Sequence, residues 1–222
     1  MKKLIKKIFY SLPSSNILMF HHIDNGDIIK KSNCCLNFNK FLQIINSDLN
    51  FVEPSLFLKF KKNQVLITFD DGLSDVYYIA YPELKKRNIP FVIFVINNFL
   101  DTEGYLTTKQ LLELSNDPLV TIGSHGLTHD ILKGKNYKDQ YTELVNSKLE
   151  LEKKIDKEVN LFAFSHGQYD DTTIEILKKY KCYDYAFGVA GFPVNIVTKK
   201  WKYYLPRINC DNNSKMFSVK KG

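Results

Sequence analysis

None of the four cysteines forms a CxxC pair: Cys34 and Cys35 are adjacent, and Cys182 and Cys210 stand far from them. That arrangement excludes a disulfide framework and a zinc knuckle, and it suits a reducing compartment, so a cytoplasmic location is the expectation. Histidine is also scarce, with five in 222 residues. No apolar run is long enough to span a bilayer. The opening MKKLIKKIFYSLPSS is basic, but Lys6, Lys7 and Ser11 interrupt its apolar residues, so no signal-peptide core is expected. There is no internal repeat and no linker that would divide the chain. No basic segment is interleaved with stacking aromatics, which removes the single-strand nucleic-acid binders; no nucleic-acid partner is expected.

What remains is ordinary globular material. Hydrophobic residues make up 44% and charged residues 25%, and the length suits one domain with a substantial core. Residues 17–222 are read as that domain, preceded by a basic segment over residues 1–16. The net charge of +7 comes from lysines scattered along helix-like stretches. Leu4, Ile5, Ile8 and Phe9, flanked by Lys2, Lys3, Lys6 and Lys7, would give residues 1–10 a short amphipathic face able to touch a membrane surface weakly. A locally packed terminus suits so short a stretch better.

From Ile17 on, short apolar runs alternate with helix-like stretches, the pattern of βα units around a largely parallel sheet. The runs predict strands over Ile17–His21, Val65–Asp70, Pro90–Ile96, Val120–Ser124, Asn160–Ser165, Asp184–Val189 and Tyr204–Cys210. Helical spacing predicts helices over Ser74–Arg87, Thr107–Ser115, Tyr137–Asp156 and Asp171–Tyr180. The conspicuous polar residues fall at strand ends: His21 and His22, Asp70 and Asp71, His125 and His129, Ser165 and His166. In parallel α/β folds the carboxyl ends of strands share one rim, and sites are built there.

VLITFDDG (Val65–Gly72) ends an apolar strand in two adjacent carboxylates. Side by side they repel unless a cation or proton intervenes, which separates their roles into one ligand and one base. Alone, the same residues would also suit a turn or a cap for the helix near Ser74. GSHGLTH (Gly123–His129) puts two histidines four residues apart after another strand. They would face the same way if the segment made one helical turn, as in many zinc sites. It is not HExxH, because Gly126 stands where the glutamate base would be. Two imidazoles and one carboxylate leave room for water and a substrate oxygen, as in a catalytic zinc site; ferrous iron would accept the same set. The carboxylate two residues beyond the first histidine that an iron oxygenase uses is missing, so hydrolysis is favoured.

At these residues the chain resembles the polysaccharide deacetylase family, the carbohydrate esterases of the NodB-homology domain. TFDDG stands at Thr68–Gly72, HxxxH at His125–His129, and FAFSHGQYDD (Phe162–Asp171) resembles the third motif, so the likeness runs from about Ile17 to Cys210. The resemblance implies an α/β fold, an irregular (β/α) barrel of about seven strands. It implies Asp70 as general base and Asp71, His125 and His129 as ligands of a divalent metal, Zn2+ being the expectation. ILMFHHID resembles the early LMYH-like segment of a permuted branch, which puts His21 in the role of general acid; alternation along the strand sends His22 to the opposite side. Ser165-His166 replaces the usual Pro-aromatic pair of the third motif, where a backbone N–H helps to hold the oxyanion and a side-chain change need not matter. His166 and Arg207 are placed with the oxyanion and substrate contacts. The arginine that orients the base in some members is replaced by Ala163, and Arg207 in LPRIN is the residue that would approach the base from another strand. The activity implied is metal-dependent removal of an N-acetyl or other N-acyl group from an amino sugar in a polysaccharide, oligosaccharide or glycolipid precursor, with the N-acylated carbohydrate as partner. The alternatives are a deformylase or O-deacetylase on a lipid-linked or nucleotide sugar, and an inactive carbohydrate-binding relative.

Overall fold

The computed structural model describes residues 15–26, 34–59, 61–189 and 202–211. Residues 1–14 of the basic segment, including residues 1–10 with their expected membrane contact, lie outside the described residues.

In chain order the elements begin with β1 (Asn16–Phe20), β2 (His22–Asp24), β3 (Cys35–Asn37), α1 (Phe38–Ile45), α2 (Pro54–Phe57) and β4 (Val65–Phe69). A π-helical turn (Val76–Ala80) leads into α3 (Tyr81–Lys86), followed by β5 (Phe91–Val95), α4 (Thr108–Ser115) and β6 (Val120–Ser124). The wide turn gives way to α3 at Pro82, whose missing N–H cannot donate to the preceding turn. Next comes α5 (Tyr137–Tyr141), a second π-helical turn (Thr142–Asn146), α6 (Ser147–Ile155), β7 (Leu161–Ala163), α7 (Asp171–Tyr180), β8 (Tyr185–Phe187) and β9 (Ile208–Asn209). Capping explains two sharp starts: Thr107 with Gln110 closes a capping box on α4, and Asp170 with Thr173 closes one on α7. No helix among the described residues is long and apolar enough to cross a membrane.

Seven strands form one sheet in the order β8-β7-β6-β5-β4-β1-β9, every pairing parallel, and β2 pairs with β3 separately. The sheet curls into an incomplete barrel. The segment leading to β9 bridges its two edges, since Leu205 pairs with Phe187 of β8 while Ile208 and Asn209 pair with Leu18 and Met19 of β1. The predicted last strand is therefore split between two neighbours, and only two of its residues are regular.

Period-2 alternation sorts the side chains. Ile17, Leu66, Val92, Phe94, Leu161, Ala163, Phe187 and Leu205 form one buried cluster inside the curl. The alternate residues Leu18, Phe20, Ile67, Phe69, Ile93, Val95 and Phe162 pack outward beneath the helices. Phe94 and Phe187 meet at 5.1 Å within the curl, each contributing about 1.5–3 kcal/mol by leaving water. Gly123 on β6 makes room for them, because a Cβ there would lie 2.5 Å from the Phe94 ring.

Candidate active site and metal centre

Since all seven strands run the same way, their carboxyl ends open on one mouth, and each strand phase decides which way the next residue points. On β4, Leu66 faces inward, so Thr68 and Asp70 follow it into the barrel. Asp70 N donates to Phe20 O at 2.9 Å, which ties the end of β4 to the end of β1 and brings His21 alongside. On β1 the inward phase is Ile17, Met19, His21. His22 falls on the other side, with Nδ1 3.4 Å from Asp75 Oδ1.

Asp70 is 2% exposed and meets a fully buried arginine. Arg207 Nη1 donates to Asp70 Oδ1 at 2.6 Å and Nη2 to Oδ2 at 2.7 Å. The arginine is itself fixed by Nε donating to Gly188 O at 3.0 Å, by Nη1 reaching Thr68 Oγ1 at 3.3 Å, and by the Phe94 face 5.3 Å away. Burial on its own pushes the Asp70 carboxyl up. The Arg207 guanidinium, helped by His125 and His21, overrides that and holds it at about 2. Arg207 reaches the base from the barrel-closing segment. With no exposed surface and both ends of its fork on Asp70, it is placed to position the base.

Asp71 would continue the alternation outward, but it lies in the left-handed region at φ +70°, with Gly72 at +69° behind it. That double turn swings its carboxylate across the mouth instead of into a helix cap, and costs a non-glycine residue about 1–2 kcal/mol. Its Oδ1 stands 3.5 Å from His125 Nε2 and 3.5 Å from His129 Nε2. The same oxygen is buried and makes no hydrogen bond among the described residues.

The two histidines are brought together by a turn rather than by the helical turn their spacing suggested. Gly126 has φ +86° and His129 has φ +64°. A buried side chain from the second π-helical turn staples this loop: Glu143 Oε2 accepts from Leu127 N at 2.7 Å and Thr128 N at 3.2 Å, and Oε1 accepts from Thr128 Oγ1 at 2.6 Å. Gly126 is required as much for space as for φ, because a Cβ there would sit 2.5 Å from Glu143 Oε2. His125, 2% exposed, has Nδ1 2.7 Å from Ala163 O; donation there leaves the Nε2 lone pair facing Asp71. Ala163, standing where an arginine was looked for, thus contributes its carbonyl. Burial, then the nearby His125, pushes His129 down to about 4, so it is a neutral ligand at ordinary pH.

Asp71, His125 and His129 each offer one ligand atom, all within 4.8 Å of one another. An orphaned buried carboxylate oxygen facing two imidazoles, one of them oriented by a carbonyl, is a set that fits a divalent cation. His166 stands beside it in a tight turn (Ser165–Gly167) at φ +54°, exposed, with its ring 4.9 Å from that of His129.

Two residues were missed in the sequence. Glu143 lies inside an ordinary helical stripe and carried no motif. Asp211 follows β9 and places Oδ2 3.4 Å from His21 Nδ1. Burial lowers the His21 pKa, but Asp211, aided by Asp70 and Asp71, overcomes this and raises it.

Comparison with known proteins finds similar sequences and structures of one kind. Residues 58–184 match the profile of the polysaccharide deacetylases. YxkH of Bacillus subtilis (strain 168), which bears a polysaccharide-deacetylase name, is 28% identical over 200 residues, covering 86% of this chain and 70% of its own. The poly-beta-1,6-N-acetyl-D-glucosamine N-deacetylase of Staphylococcus aureus (strain MSSA476) is 28% identical over 165 residues, 68% of this chain; the match spans 55% of that relative's length. Among solved structures, the Streptococcus pyogenes deacetylase PplD in complex with acetate superposes with a TM-score of 0.78 at 25% identity, covering 90% of this chain and 93% of that one.

Proposed function

This chain belongs to the polysaccharide deacetylase family, and we propose that it removes an N-acetyl group from an amino sugar in a polysaccharide or oligosaccharide with the help of a bound divalent cation. The observation that carries the proposal is the juxtaposition of an arginine-clamped carboxylate, Asp70, with the three-ligand set: His125 Nε2 is 3.9 Å from Asp70 Oδ2 and 3.5 Å from Asp71 Oδ1.

Asp71, His125 and His129 would hold the cation, and zinc suits two imidazoles and a carboxylate. When bound, it would polarise the acyl carbonyl and acidify a water beside it, enough for a carboxylate as weakly basic as Asp70 to accept the proton. Arg207 keeps Asp70 ionised and aims both oxygens, so the base is ready at any working pH. A backbone N–H of the turn at His166, whose ring is 4.9 Å from that of His129, would serve the developing oxyanion. His21, whose pKa Asp211 raises against the effect of burial, would give its proton to the departing sugar nitrogen. An amine leaves poorly without one.

The test is release of free amine from β-1,6-linked N-acetylglucosamine oligomers, measured with the cation removed and then restored. Cation-dependent amine release is the expected result. Release of acetate from O-acetylated sugars alone would transfer the activity to an esterase, and binding of the oligomer without turnover would make the chain a carbohydrate-binding relative.

A further inference from the structure

A second group of cation ligands lies at the same mouth. His21, Cys34 and Asp211 each offer one ligand atom, and these too all lie within 4.8 Å of one another. None of the three belongs to the Asp71, His125 and His129 set. We propose that they form a second, weaker site for a thiophilic divalent cation of the zinc and cadmium type, and that filling it switches hydrolysis off by taking His21 out of acid catalysis. The switch rests on the acid role proposed for His21; the site does not.

The backbone already holds the three residues in place. His22 N donates to Cys34 O at 3.2 Å and His22 pairs with Cys35, so Cys34 is held beside the end of β1. Cys210 N donates to Met19 O at 2.9 Å, which brings Asp211 to the same point. Asp211 is 3% exposed, and its Oδ1 is buried without a hydrogen-bond partner among the described residues. Its other oxygen is 3.4 Å from His21 Nδ1, longer than a formed hydrogen bond. An orphaned buried carboxylate oxygen has lost its hydration without compensation, which a cation would relieve. Cys34 is exposed and forms no disulfide, so an ion can enter from solvent.

Sulfur, nitrogen and oxygen together select zinc-like ions over magnesium, which prefers oxygen and keeps its water. A thiolate and a carboxylate also neutralise the ion's charge. Neighbouring ligand atoms around tetrahedral zinc are about 3.3–3.8 Å apart, given bonds of about 2.0–2.3 Å. His21 Nδ1 and Asp211 Oδ2 already stand in that range at 3.4 Å, as Asp71 Oδ1 does at 3.5 Å from both of its histidines. Binding here must also displace a thiol proton, which makes it the weaker site. On binding, the Cys34 thiol releases its proton to solvent as the sulfur–metal bond forms. A metal on either nitrogen of His21 competes with the proton that would make the imidazolium, so no acid remains to release the amine.

The experiment titrates Cd2+ and Zn2+ beyond one equivalent into the cation-loaded enzyme, following ultraviolet thiolate-to-cadmium charge transfer and amine release together. A second equivalent should bind with a charge-transfer band, and activity should fall by about a hundredfold, the scale of a lost general acid. In Cys34→Ser the band should vanish, the basal rate should be unchanged, and inhibition should need at least about tenfold more ion. Mg2+ should neither inhibit nor give a band. Equal inhibition of Cys34→Ser and the parent, or no band in the parent, would overturn the site. A band lost in Cys34→Ser, with full activity at saturating cadmium, would overturn the switch and with it the acid role of His21. If no N-acetylated sugar is turned over at all, the absorbance arm still reads the site, which separates its failure from that of the proposed activity.

Discussion

Replacing Arg207 by methionine would leave the Asp70 carboxylate buried with no cation against it. The two groups are 0% and 3% exposed at the side chain and share two hydrogen bonds of 2.6 and 2.7 Å, so screening by water does not soften the loss. Removing one partner of such a pair costs about 3–5 kcal/mol. For a domain of this length that is roughly 6–20 °C in melting temperature. The sign of the pH dependence follows from the same contact. In the parent, Asp70 is depressed from 3.8 to about 2, so its stabilising contribution is complete above the ordinary value and is lost as pH falls from there toward 2. In Arg207→Met, burial is no longer overridden and the Asp70 pKa rises above the ordinary value. The folded state then binds the extra proton, and stability falls as pH rises through that range, the reverse of the parent. The acid limb of kcat/KM should move up by at least one pH unit, because the base is protonated where it used to be ionised. Denaturant unfolding at saturating metal, repeated from acid to neutral pH, reads the first effect, and a pH–rate profile reads the second. The double variant Asp70→Asn, Arg207→Met should recover to within about 1–2 kcal/mol of the parent while staying inactive. A loss under about 1 kcal/mol in Arg207→Met, with an unmoved acid limb, would refute the reasoning.

Four further outcomes follow from the geometry. His125→Ala and Asp71→Ala should each lose the cation while keeping the fold, checked by metal content on protein with a parental circular dichroism spectrum; full occupancy in both would defeat the ligand set. Glu143→Ala leaves the Leu127 and Thr128 N–H groups of the histidine loop without their acceptor and should weaken metal binding by about 10–100-fold, as loss of a ligand-orienting partner does; unchanged affinity would show that the loop holds itself. His21→Ala should slow amide hydrolysis strongly and an activated aryl ester much less, since a phenolate departs without a proton, whereas His22→Ala, turned toward Asp75, should slow neither. In Asp211→Asn the carboxylate that raises His21 is gone, so the basic limb of the pH–rate profile should move to lower pH.

Much of this molecule was legible in residue order alone, and the reason is locality. Strand-like runs ending in polar residues set the parallel sheet and its rim, because apolar alternation and chain direction are properties of a few consecutive residues. The same alternation sent Asp70 and His21 inward and His22 outward, and the helices over Thr108–Ser115 and Asp171–Tyr180 began where their caps required. The site beyond those positions was decided by contacts that no local pattern encodes. Arg207 and Asp70 are 137 residues apart in sequence, and they meet only because the segment before β9 bridges both edges of the curled sheet. Asp211 reaches His21 on that same segment. Glu143 looks like any charged residue on a helix until the fold buries it against the loop at Leu127 and Thr128. The histidine pair met through left-handed turns at Gly126 and His129, not through the helical turn its spacing implied. Residue order determined which side chains stand at the mouth. Closure of the barrel decided which of them touch, since a buried charge must find its partner wherever in the chain that partner lies.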